Sequence, residues 1–95
     1  MSLIVDHEQL TTDWGGTFRW DEIVALDVDQ YAAGEHTLAI LSFEHLNGGV
    51  IEVNLDDEIP KEARRQLAAY LPLPADWQAQ VAALPPGAGL TLFQR

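Results

Sequence analysis

The chain has 95 residues, with 15 Asp and Glu against 5 Lys and Arg, and carries a net charge of −10 when its three histidines are neutral. That length predicts a single domain over residues 1–95, and 47% hydrophobic with 21% charged residues is a globular rather than a disordered composition. The charge excludes a nucleic-acid binder, which needs cations to displace counterions from phosphate. It also argues against an anionic membrane surface, and no apolar run approaches the roughly 20 residues of a spanning helix.

The acidity is uneven. Residues 1–60 hold 13 acids and a single base, Arg19, whereas residues 61–95 hold 2 acids and 4 bases. The opening Met1-Ser2-Leu3-Ile4-Val5-Asp6 has no basic region and turns acidic after three apolar residues, so no signal peptide is expected. The absence of cysteine removes disulfides, thiolate nucleophiles and Cys-based zinc sites. A soluble, cytoplasmic protein without cofactor or metal is the resulting expectation.

In chain order, Leu3 to Val5 and Gln9 to Thr12 read as short extended pieces, and Trp14-Gly15-Gly16 as a turn, because glycine accepts positive φ without a Cβ clash. Thr17-Phe18-Arg19-Trp20 leads into Ile23 to Tyr31, where Val24, Leu26 and Val28 alternate with Ala25, Asp27 and Asp29. This is period two with one wet face. Leu38 to Leu46 is strand-like and apolar on both sides, which predicts a central strand. Asn47-Gly48-Gly49 is a hairpin signal, followed by Val50 to Asp56 with Ile51, Val53 and Leu55 inward and Glu52, Asn54 and Asp56 outward.

The period changes at Asp57. Asp57 or Glu58 as cap and Pro60 in the first turn predict a helix with Ile59, Ala63, Leu67, Tyr70 and Leu71 on its apolar stripe and Lys61, Arg64 and Arg65 on the solvated arc. Leu71-Pro72-Leu73-Pro74 stops it. A second helix, Ala75 to Leu84, aligns Trp77, Val81 and Leu84 and ends at Pro85-Pro86-Gly87, and the tail Leu90 to Phe93 can return to the sheet edge. Strands first and helices afterwards, joined by hairpin-length connections, predict an α+β fold: an antiparallel meander of about five strands with two C-terminal helices on one face.

Phe18-Arg19-Trp20-Asp21-Glu22-Ile23-Val24, Trp77-Gln78-Ala79-Gln80-Val81 and the ending Leu92-Phe93-Gln94-Arg95 resemble a family of small uncharacterised bacterial proteins. In that family an aromatic-x-Trp-x-x-Ile strand start precedes a β-meander, and a Trp-x-x-x-Val helix precedes an apolar-aromatic-x-Arg ending; the overlap runs from Phe18 to the C-terminus. The meander followed by a helix is also loosely similar to bacterial pleckstrin-homology-like domains. The matching residues are of core type, so the resemblance implies architecture rather than activity and brings no catalytic residues with it.

Few constellations point to chemistry. His7, His36 and His45 each neighbour an acid, but adjacent strand residues face opposite ways, so solvated histidines are expected rather than a metal site. Asp56-Asp57-Glu58 has a sufficient role at a helix start. Ser2 and Ser42 lack a nucleophile elbow, and Asn47-Gly48-Gly49 lacks the lysine of a phosphate loop. Trp20 and Trp77 sit in apolar patterns and read as core; Trp14, in a turn, is the candidate exposed aromatic anchor.

The strongest candidate is an acidic face formed by Asp21, Glu22, Asp27 and Asp29, joined by Glu52 and Asp56. A solubilising surface accounts for it, and so does a docking face that steers a basic protein. The functional expectation is therefore a non-enzymatic protein-binding module with a basic partner, an immunity or antitoxin-like inhibitor being the natural example. The alternatives are a homo-oligomerising structural module and a small hydrolase.

Overall fold

The architecture is that of a computed structural model describing residues 3–12, 16–59 and 61–95. Alternating polarity produces strands and the helical period produces helices, in an antiparallel α+β arrangement of two sheets. Strands β1 (Leu3–Val5), β2 (Gln9–Thr12) and β3 (Gly16–Arg19) form a three-stranded sheet in the order β1-β2-β3. Gly16 enters β3 with a φ of +96°, a backbone that suits glycine. A single 3-10 turn, Trp20–Glu22, then leads to β4 (Ile23–Ala33), β5 (His36–His45) and β6 (Val50–Asn54).

Helices α1 (Leu55–Glu58), α2 (Lys61–Tyr70) and α3 (Trp77–Ala82) follow, and β7 (Gly89–Gln94) returns to the free edge of β4. The second sheet therefore runs β6-β5-β4-β7, all neighbours antiparallel. The single five-stranded meander expected from sequence is instead two sheets of three and four strands. The tail does pair with the sheet, and β5 is interior to it.

Three local differences have physical causes. A bulge between Ile23 and Ala25 re-phases β4, so Ile23 and Leu26 are both buried while Val24 stays half-exposed. The helical region is capped three residues before Asp57, the earlier of the two expected caps, because Asn54 takes that role: its side-chain oxygen accepts the Asp56 and Asp57 N–H groups at 3.0 and 3.2 Å. Arg64, expected on the solvated arc, folds back instead and donates to the Leu55 carbonyl at 2.9 Å.

The core lies against one face of the four-stranded sheet. Leu26, Val28, Ala39, Leu41, Phe43, Ile51 and Val53 project into it, covered by Leu55, Ile59, Ala63 and Leu67 and by Trp77 and Val81. The three-stranded sheet closes the end nearest the β5–β6 turn with Leu10 and Phe18. Trp20 joins the parts: its indole N–H donates to the Asp6 carbonyl at 2.7 Å and its ring stacks on Tyr70 at 5.3 Å. Among the described residues, no helix is long and apolar enough to cross a membrane.

Candidate binding face

Side chains of adjacent strand partners share a face, so the pairing register lays out the surface opposite the core. Asp27 pairs with Ser42 and with Thr91, and Ser42 with Glu52. One step along, Asp29 pairs with Ile40 and Gly89, and Ile40 with Asn54; then Tyr31 pairs with Leu38, and Glu44 with Val50 at the opposite end. The result is a mixed surface of carboxylates and apolar side chains, with Tyr31 and Val50 about half exposed at 50% and 53%. Leu38 and Ile40 are partly exposed between them.

The carboxylates are held individually. Asp27 Oδ1 accepts from the Thr91 hydroxyl at 2.7 Å. Asp29 lies across Gly89, where a Cβ would come within 2.5 Å of its Oδ1, so the missing side chain at 89 makes room for that carboxylate. Residues two apart on a strand stand about 6.6 Å apart, and at that spacing in a wet environment two like charges repel by about 1 kcal/mol or less. A row of acids is therefore cheap to maintain on this face.

None of the five basic residues lies there. Lys61, Arg64 and Arg65 are on α2, Arg19 is on β3 beside Asp21, and Arg95 donates to the Ile23 and Trp20 carbonyls at 2.7 and 3.1 Å and covers the Phe93 ring. Of the six acids expected to gather, Asp27, Asp29 and Glu52 share the outer face and Glu44 joins them. Asp21 and Glu22 are drawn into the 3-10 turn at the strand's start, where Asp21 faces Arg19 at 3.4 Å and Glu22 faces His45 at 3.6 Å. Asp56 leaves with α1 for the core side, 3.5 Å from Arg64. Trp14 lies outside the described residues.

Sequence reading missed Glu44, Tyr31 and Val50 as members of this face. Their strand parity was the available signal, obscured because each sits near a strand end. His7 and His36 are solvated, but His45 is not. Its side chain is 12% exposed, its ring lies 4.6 Å from that of Phe18, and its Nδ1 accepts the Asn47 N–H at 3.1 Å. Among the described residues, no three histidine, aspartate or glutamate side chains converge on a metal-sized site. Comparison with protein families, curated proteins and solved structures found no match.

Proposed function

We propose that the chain is a non-enzymatic binding module that engages a basic protein through the outer face of its four-stranded sheet. The observation that carries this reading is the composition of that face: Asp27, Asp29, Glu44 and Glu52 alternate with Tyr31, Leu38, Ile40 and Val50, and no lysine or arginine neutralises them. Apolar side chains supply area to bury, while carboxylates steer a cationic partner and reject anionic ones. A surface kept acidic only for solubility has no use for a partly exposed Ile40 and Leu38 at its centre. Inhibition of a cationic protein, as by an immunity or antitoxin-like protein, is the biological form this chemistry suits best.

The test is capture from a lysate of the source cell by immobilised wild-type chain and by an Asp27→Asn, Asp29→Asn, Glu52→Gln variant of the same shape. Raising salt from roughly 0.1 to 1 M shortens the Debye length from about 10 to about 3 Å, so a basic protein held by wild type should be released, and the variant should fail to hold it at low salt. Capture equal for both proteins and indifferent to salt would overturn the reading. Salt-resistant self-association in its place would favour a homo-oligomeric module built on the free edges of β6 and β7.

A further inference from the structure

The acidic face ends at β6, an edge strand of the four-stranded sheet that pairs only with β5. At the β5–β6 turn the His45 N–H donates to the Gly49 carbonyl at 2.8 Å, and the His45 carbonyl accepts the Gly48 N–H at 2.9 Å. Those bonds set the phase of the ladder, because bonded and non-bonded pairs alternate along antiparallel strands. Phe43 with Ile51 and Leu41 with Val53 are then the bonded pairs, while Glu44 with Val50 and Ser42 with Glu52 are the non-bonded ones. The N–H and C=O groups of Val50 and Glu52 therefore point away from β5, off the edge. Among the described residues, no hydrogen bond reaches these four groups.

An edge strand is a template for another strand, and proteins blunt it with a bulge, a proline, a lysine or a covering element. The opposite edge is blunted in this way: the register of β7 slips between Leu26 and Asp27 of β4. By contrast, β6 keeps unbroken register with β5 from Val50 to Asn54 and contains neither proline nor lysine. Its side chains on the acidic face are open as well, Val50 at 53% exposure and Glu52 exposed beside it.

We propose that the basic partner adds an extended segment to β6 as an antiparallel fifth strand, an inference that rests on the acidic-face reading and gives it a geometry. Residues bonded across the edge share a face, so the segment's residue opposite Glu52 stands on the acidic side and is a lysine or arginine. Antiparallel register places the residue two positions later opposite Val50, where a β-branched or aromatic side chain packs well. The recognised pattern is basic-x-apolar, held by main-chain bonds to Val50 and Glu52. A second copy of this chain fits worse, because β6 carries no cation to set against Glu52 and each copy brings a charge of −10.

The probe is the blocked peptide acetyl-Thr-Lys-Thr-Val-Thr-amide, titrated into the ¹⁵N-labelled chain at low salt. Its control is the same peptide N-methylated at lysine and valine, which keeps charge and side chains but loses the two donors aimed at the edge. Val50→Pro leaves every carboxylate in place and breaks no bond to β5, since proline is tolerated where an edge N–H faces solvent, yet it removes one outward donor. Glu52→Gln keeps the edge and removes its charge. The methylated peptide and Val50→Pro thus test the strand with the acidic face intact, whereas Glu52→Gln tests the charge with the strand intact.

The expected result is saturable movement of the Val50 and Glu52 amide resonances with a Kd of about 1 mM or lower, weakened about tenfold or more by methylation and by Val50→Pro. Glu52→Gln should weaken binding about two- to fivefold. Equal binding of the two peptides would overturn the added strand, and with Glu52→Gln still weaker it would leave the acidic-face reading standing. Unchanged affinity in Glu52→Gln would overturn the basic occupant and count against that reading too. Absence of saturable shifts at the edge, or movement of the same two resonances with chain concentration alone, would also overturn the proposal. If Val50→Pro does not fold, the methylated peptide still decides.

Discussion

Residues 38–43 of β5 alternate between two surfaces that follow different rules. Ala39, Leu41 and Phe43 are buried against helices and the three-stranded sheet, whereas Leu38, Ile40 and Ser42 remain half-exposed beside Asp27, Asp29 and Glu52. The same strand thus serves the fold with one set of side chains and meets solvent with the other. Because the covered face supplies the packing, the open face can hold like charges at low energetic cost, and its residues are free to be chosen for a partner.

The sharpest way to break this contrast is to truncate neighbours on opposite faces. Leu41→Ala removes a fully buried side chain and should cost about 2–5 kcal/mol of unfolding free energy, including the cavity left behind. Ile40→Ala, one residue away, should cost about 1 kcal/mol. Denaturant unfolding of the two variants checks this, and equal losses would mean that the outer face is also covered in the native protein.

Asn54 is where the two faces exchange roles. By strand parity it belongs outside, opposite Ile40, yet its side chain turns to cap α1 and so commits the following residues, Asp56 among them, to the core side. Asn54→Ala should lower stability by about 1 kcal/mol through loss of that cap, read as a shifted denaturation midpoint. Asn54→Asp, which keeps an acceptor, should restore most of it.

Gln30 tests the covered face from the other direction. Gln30→Met removes an unpartnered buried oxygen while leaving the Val81 carbonyl with its Leu84 donor, so stability should be unchanged or rise by up to about 1 kcal/mol. A clear fall in thermal midpoint would give Gln30 a structural role instead.

How much of this was legible in the sequence follows from what each signal encodes. Period two located β4, β5 and β6 and the inward set Ile51, Val53 and Leu55, and the stripe through Ala63 and Leu67 located α2. Asp27 and Asp29 stand on the outer face because they alternate with the inward Leu26 and Val28, and Glu52 because it alternates with Ile51 and Val53. Asp21, Glu22 and Asp56 were misplaced because a 3-10 turn and a one-turn helix, both shorter than any period, interrupt the strand logic at its ends. The division into two sheets falls at the 3-10 turn Trp20–Glu22, across which β3 and β4 do not pair, a break that strand alternation alone does not mark. Gln30 did leave a trace, as a polar residue on the Leu26–Val28 parity of β4, but Arg64 did not, because its return to Leu55 depends on α1 being present.

The smallest effect concerns acid, and it should fall on the cover rather than on the open face. Asp6, between β1 and β2, accepts the Glu8 and Gln9 N–H groups at 2.8 and 2.9 Å, and those two bonds, with a lesser contribution from the His7 charge, hold its carboxyl below the ordinary value of 3.8. A group whose acidity is raised by folding stabilises the native state at pH values above its unfolded pKa and loses that contribution as pH falls through the ordinary value toward the lowered one. The β1–β2 turn, whose Asp6 carbonyl also receives the Trp20 indole N–H, should therefore loosen below about pH 4. Trp20 fluorescence followed from pH 6 to pH 3 measures it. Asp6→Asn keeps a side-chain acceptor without a titrating proton, so its fluorescence should change less over the acid limb than that of wild type. Identical curves for the two proteins would show that acid acts elsewhere.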